Sequence, residues 1–192
     1  GTLITKTVTV NRPVYREWIC DYVVNAIVVQ WPDWCRRDIT IQQDNAKPHI
    51  SSDDARFVEV TNFYAQPEND NFNISLTNQP ANSPDLNICD LALFHAMQSL
   101  QQQHQTKSID ELIVVVRAVW QDFPLATAKK VWTSLQLVMD ECLKVDGRNS
   151  YKLPHIAKDK WMQQNGQDLP LQMKCTYLEE SALGDQIPDI QH

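Results

Sequence analysis

Three consecutive β-branched residues, Ile39–Thr40–Ile41, followed by Gln42–Gln43–Asp44 and a proline at 48, constrain this chain more than any other feature. Such a run favours a buried strand. Proline has no N–H to give to a ladder, so Pro48 ends the extended segment. Asp44 is then expected at the C-terminal edge of the strand, where open α/β sheets form ligand crevices.

A second stretch, Asn82–Ser83–Pro84–Asp85–Leu86–Asn87–Ile88–Cys89–Asp90–Leu91, reads as a helix start. Ser83 is a capping residue, Pro84 suits the first turn, and Asp85 complements the positive end of the helix dipole. Asp90 is expected on the stripe of Phe94 and Met97, at offsets of four and seven. A carboxylate on an apolar face is costly to bury unless it is paired or bound to metal. Taken singly, each acid has an ordinary reading: Asp44 opens an Asx-turn, and Asp90 meets a lysine or water. Taken together, an acid at a strand tip and another on a following helix are what a nuclease needs to hold divalent metal against a phosphodiester.

With those residues in view, the chain resembles a mariner-type DNA transposase, nearest to the plant and oomycete mariner-like elements. The likeness rests on Gln42–Gln43–Asp44–Asn45–Ala46–Lys47–Pro48–His49, on Gln79–Pro80–Ala81–Asn82–Ser83–Pro84–Asp85–Leu86–Asn87, and on Asp90–Leu91–Ala92–Leu93–Phe94–His95–Ala96. It continues through 134–139 and Tyr151–Lys152–Leu153–Pro154–His155 to Leu169–Pro170–Leu171–Gln172. The resemblance implies an α/β fold of the RNase H-like type, lacking its first strands and followed by a helical C-terminal portion. It implies that Asp44 and Asp90 are the second and third catalytic carboxylates and the metal ligands. The implied cofactor is Mg²⁺ or Mn²⁺, as a two-metal site in the complete protein. The implied partner is DNA bearing terminal inverted repeats, with a homodimer as the assembly and the nucleus as the location.

Two departures from the family pattern are visible. Between the two acids lie 45 residues, more than is usual in the family. The excess is assigned to Ala65–Asn73, a polar stretch where a surface loop grows at little entropic cost. The family's first catalytic aspartate belongs to a strand that would precede Gly1. Asp21, inside a helical pattern, and Asp33 and Asp38, flanking a loop, do not replace it. The expectation is a transposase fragment that is not a competent enzyme alone. The alternative is a non-catalytic, transposon-derived module that binds nucleic acid or a protein. A coincidental likeness in an unrelated α/β protein is the remaining reading.

Composition narrows the class further. The 192 residues could bury a substantial core, and 43% apolar with 21% charged content is ordinary for a globular protein. No apolar run reaches membrane-spanning length, and no signal peptide opens the chain, so neither a membrane partner nor secretion is expected. Five scattered cysteines form no zinc-ligand spacing and suggest reduced thiols. Cys89 reads as a buried helical thiol rather than a nucleophile. A net charge of −7 argues against strong DNA binding by this segment alone.

Along the chain, Thr2–Val10 reads as a strand or extended arm. Asn11 caps a helix whose expected core face is Val14, Trp18, Tyr22 and Ala26, widened by Ile19, Val23 and Ile27, with Pro32 as the stop. A helix from Ser51 or Ser52 to Phe63 links the Asp44 strand to a second strand, Asn73–Leu76. The two strands should pair in parallel by a right-handed crossover, leaving one edge of the Asp44 strand unpaired and apolar. The Asp90 helix should run to Gln103. Ser108–Glu111 is a capping box, Pro124 opens a further helix, and Gly147 closes it. The organisation is therefore 1–104 partial catalytic core, 105–162 helical portion, and 163–192 frayed polar tail. His49 is a turn-capping or solvent-facing histidine, and His95 is a poor co-ligand of Asp90. Lys144, Arg148, Lys152, Lys158 and Lys160 form the one basic concentration, read either as a weak DNA-backbone contact or as a solvated helix end.

Overall fold

The computed structural model describes residues 5–154 and Cys175, and the chain divides into two compact units, Gly1–Asn82 and Ser83–His192. The residue 104/105 division therefore falls inside the second unit.

The first unit opens on a helix started by Asn11, whose side chain accepts from the Val14 N–H at 3.1 Å. Its segments are α1 (Arg12–Glu17), a π-helical turn (Trp18–Val23) and α2 (Val24–Gln30). Within the turn the Val24 N–H reaches the Ile19 carbonyl five residues back. That extra residue makes Val24, five positions on, the buried successor of Ile19, and the expected core face is corrected. Trp18 and Tyr22 are 62% and 60% exposed and Ala26 is exposed, whereas Ile19, Cys20 and Val24 are buried. Ile27 and Val23, expected at the margin, pack against that core.

Strands β1 (Asp38–Gln43) and β2 (Asn73–Asn78) pair in parallel, from Asp38↔Asn73 to Gln43↔Asn78. They are joined through α3 (Ala55–Tyr64), started by Asp54 rather than Ser51 or Ser52. Ile39, Ile74 and Leu76 face a core completed by Ile50, Phe57 and Phe72. The opposite face is polar: Asp38, Thr40, Asn73 and Ser75 are exposed, and the Thr40 and Ser75 hydroxyls lie 3.0 Å apart. Among the described residues β1 has a strand neighbour on one edge alone. The unpaired edge is as expected, and alternation gives the strand one buried face with Ile39 and one exposed face with Asp38 and Thr40.

The stretch assigned to the long interval is built rather than loose. Asp70 and Asn71 take left-handed φ values of 73° and 56°. Phe72, 2% exposed, drives the loop into the core, with its N–H on the Tyr64 carbonyl at 2.8 Å and Arg37 over its ring at 5.0 Å.

The second unit begins with a 3₁₀ turn (Pro84–Leu86) and a π-helical turn (Cys89–Leu93) running into α4 (Phe94–Gln101). Then come α5 (Ile109–Gln121) and α6 (Leu125–Lys144). Ser108 accepts from the Glu111 N–H at 3.2 Å, and Glu111 reaches back to the Lys107 N–H at 2.6 Å. At the end of α6, Asp146 and Gly147 take φ of 54° and 76°, and the Gly147 N–H caps the Cys142 carbonyl at 2.9 Å. Among the described residues of this unit, Val119, Val131 and Val138 are the buried apolar ones. The structure is thus mixed helix and strand with a small parallel sheet. No helix among the described residues is long and apolar enough to cross a membrane.

Candidate functional site

At the C-terminal ends of β1 and β2 the polar side chains converge. Gln43 is the hub, 6% exposed. Its amide nitrogen donates to the Ile50 carbonyl at 2.6 Å and to Asn78 Oδ1 at 2.8 Å, while its Oε1 accepts from the Tyr15 hydroxyl at 3.0 Å. A buried amide needs those partners, since each unmet group carries its full desolvation penalty. The ladder runs one step further, with the Gln79 N–H on the Gln43 carbonyl at 2.7 Å. Asn45 Nδ2 then donates to the Gln79 carbonyl at 3.0 Å.

Asp44 therefore leaves the strand end at a fixed point. Its Oδ1 accepts from the Ala46 N–H at 2.7 Å, which is an Asx-turn. His49 Nδ1 lies 2.7 Å from the Asp44 carbonyl and 3.0 Å from Oδ1. Both neighbours are acceptors, so Nδ1 carries the proton. The imidazole stacks on Tyr15 with centroids 4.2 Å apart. Burial pushes the Tyr15 hydroxyl pKa up, and the nearby Asp44 charge adds to the shift. Asp44 is half exposed, and its Oδ2 takes no hydrogen bond among the described residues.

These groups line a cleft of about 390 Å³ that also holds Arg12, Arg16, Lys47 and Asp54. Arg16 is committed to Asp54, through Nε at 3.0 and 2.8 Å and Nη2 at 2.8 Å. A larger cleft, about 690 Å³, lies beside α3, and its charged groups are paired, with Arg56 on Asp21 and Glu59 at 3.2 Å each.

In the second unit Asp90 stands on the π-helical turn, and its expected place is corrected. It is exposed, not embedded in an apolar stripe, and Phe94 is exposed as well. The extra residue of the turn, with the Phe94 N–H on the Cys89 carbonyl, changes the register between Asp90 and Phe94. Such turns often occur at functional sites. Asn87 sets the turn, accepting from the Cys89 N–H at 3.1 Å and donating to Asp90 Oδ2 at 3.1 Å. Ser83 and Pro84 begin only the short 3₁₀ turn, and no side-chain cap bond forms there. Asp85 is instead held by the Tyr151 hydroxyl. Sequence reasoning missed this contact, whose two residues lie in separate motifs. Burial raises the Cys89 thiol pKa, with the Asp90 charge contributing, which favours the neutral thiol.

Asp44 and Asp90 thus belong to different units, each placed by its own turn. Their donor chemistry suits a hard cation, since Mg²⁺ and Mn²⁺ prefer carboxylate oxygen. Each acid keeps one oxygen without a hydrogen bond among the described residues. No group of three or more His, Cys, Asp or Glu there forms a ready metal cluster. In the basic concentration, Lys144 is spent on Asp140 at 3.2 Å and Glu141 at 2.8 Å, while Arg148 and Lys152 are exposed. Lys158, Lys160, His155 and the tail from 163, like residues 1–4, lie outside the described residues. The cysteines are free thiols. Comparisons with family models, with curated proteins and with solved structures found no match for this chain.

Proposed function

We propose that this chain is a piece of the catalytic core of a mariner-type, cut-and-paste DNA transposase with an RNase H-like fold. Asp44 and Asp90 are its second and third metal-binding carboxylates. The observation that carries the reading is the placement of Asp44: the acid of the Gln-Gln-Asp-Asn-Ala sentence ends one of two parallel strands and opens on a cleft. Crevices beyond the carboxyl ends of parallel strands are where α/β folds bind ligands. When bound, Mg²⁺ or Mn²⁺ supplies Lewis-acid stabilisation of the phosphoryl oxygens and a deprotonated nucleophile. The chain's own share is to fix Asp44 through the Asx-turn and His49, and Asp90 through Asn87. DNA with terminal inverted repeats is the partner, in a homodimer acting in the nucleus.

The same reading makes this chain alone inactive, because two carboxylates do not position both ions for in-line attack. Purified as it stands, it should leave DNA carrying mariner-type terminal repeats uncut in Mg²⁺ or Mn²⁺. Joined to an upstream strand bearing an aspartate and to DNA-binding modules, it should cut. Asp44→Asn or Asp90→Asn should then abolish cutting while leaving DNA binding in place. Retained cutting by the Asp90→Asn protein would remove Asp90 from the site, with Asp85 next in line.

A second reading, a transposon-derived module without chemistry, is favoured by one observation: Asp44 Oδ1 already serves the turn and His49. The upstream reading frame separates the two. A continuous frame with an aspartate-bearing strand and a helix-turn-helix supports the enzyme, and a broken frame supports the module.

A further inference from the structure

We infer that Arg12 and Lys47 form a two-point grip for the nucleic-acid backbone beside Asp44. This rests on the nuclease reading above and adds the residues that would hold the substrate's phosphates. The chain carries a net charge of −7, yet the Asp44 cleft runs against that balance, with three cations facing two carboxylates. Arg16 and Asp54 cancel one another through their two-pronged ion pair. What remains is Arg12 and Lys47 against Asp44.

The two cations come from different elements and are brought together by a specific contact. Arg12 stands at the start of α1, and its Nη2 donates to the Lys47 backbone carbonyl at 3.3 Å. Lys47 sits in the turn after β1, three residues beyond Asp44. Both side chains are exposed, and neither makes an ion pair among the described residues. A guanidinium and an ammonium next to a half-exposed carboxylate suit a polyanion whose charges repeat along a line. The cations take phosphates that flank the position served by the acid, and they offset the repulsion that Asp44 exerts on the same strand. Base edges are not read by this arrangement, so the grip is indifferent to sequence.

The test is fluorescence anisotropy of a labelled DNA duplex with the 192-residue chain, without divalent metal, across a series of salt concentrations. The Arg12→Ala/Lys47→Ala protein should bind at least about tenfold more weakly at low salt. Its plot of log K against log salt should be shallower by about two, one for each lost phosphate contact. Lys47→Arg, which keeps the charge, should retain the parent slope, and Lys107→Ala in the second unit should leave it unchanged. Asp44→Asn should tighten binding. Inorganic phosphate at matched ionic strength should not displace the duplex, and displacement would mark a small-anion pocket instead and overturn the assignment. An unchanged slope in the double variant, an equal loss in Lys107→Ala, or no binding by the parent chain would each overturn it too. None of these readouts involves Asp90 or cleavage, so the grip and the nuclease reading fail separately.

Discussion

Arg16 holds Asp54 with two of its nitrogens, at 2.8–3.0 Å, across 38 residues of sequence. The acid is nearly buried and also caps α3, accepting from the Arg56 and Phe57 N–H groups at 3.2 and 3.4 Å. One carboxylate therefore both starts a helix and ties it to α1, within the cleft that contains Asp44.

That double duty makes the first unit acid-sensitive. The hydrogen bond from Arg16, stronger than the opposing burial, holds the Asp54 carboxyl below its ordinary range. A group depressed in the folded state contributes fully above its unfolded pKa, about 4, and loses that contribution as pH falls through the folded value. Urea denaturation of the parent chain should show stability dropping below about pH 4, and Asp54→Asn should flatten that limb of the profile. At neutral pH Asp54→Ala should cost about 1–2 kcal/mol, the range for a lost N-cap. An unaltered acid limb in Asp54→Asn would show that other carboxylates set it.

Gln43 is the residue on which the strand-end network depends. Gln43→Ala leaves the Ile50 carbonyl and Asn78 without their donor and the Tyr15 hydroxyl without its acceptor. A loss of about 1–3 kcal/mol is expected, from groups left unmet in a buried setting. Gln43→Glu should be worse, since it replaces the donor with a charge aimed at two acceptors. Equal urea midpoints for parent and Gln43→Ala would show that water satisfies the site.

Much of this architecture is legible in the amino-acid sequence. Ile39–Thr40–Ile41 and Ile74–Leu76 announced their strands through β-branching and alternation, and Asn11 and Ser108 announced helix starts through their side-chain oxygens. The parallel pairing followed from a helix lying between two strands. The two π-helical turns were not legible. A single extra residue in a helix leaves no compositional mark, yet it makes Val24 rather than Val23 the buried successor of Ile19 and changes the register between Asp90 and Phe94. The Asp54 cap was hidden behind Ser51 and Ser52, which look equally able to cap, because its advantage comes from Arg16, distant in sequence. Hydrophobic periodicity sees one helix at a time, and both errors arose where another element, or one added residue, decided the outcome.

The bond between Tyr151 and Asp85 gives the second unit an alkaline limit. Burial is the larger cause of the raised Tyr151 pKa, and the hydrogen bond to Asp85 and its charge add to it. A group raised in the folded state contributes fully below its unfolded pKa, about 10, and loses that contribution as pH climbs toward the folded value. Spectrophotometric titration of the tyrosines should show Tyr151 among the last to ionise, together with Tyr15. Tyr151→Phe should delete one late-titrating group and lower neutral-pH stability by about 1 kcal/mol, the usual net worth of a hydrogen bond. If the late fraction is the same in parent and variant, the contact does not persist in solution.

Asp44 offers the cleanest separation of structure from chemistry. Its Oδ1 accepts from the Ala46 N–H and faces the protonated Nδ1 of His49. Asparagine has an oxygen in the same place and favours the same turn, so both contacts survive the substitution. Asp44→Asn should therefore change the unfolding free energy measured in urea by no more than about 0.5 kcal/mol, whereas Asp44→Ala, which loses the turn acceptor, should cost about 1 kcal/mol. With the fold held constant, calorimetric titration of Mn²⁺ into a protein that includes the upstream aspartate should show binding reduced at least about tenfold by Asp44→Asn. A variant that is stable yet binds Mn²⁺ as the parent does would leave Asp44 as a turn residue and nothing more.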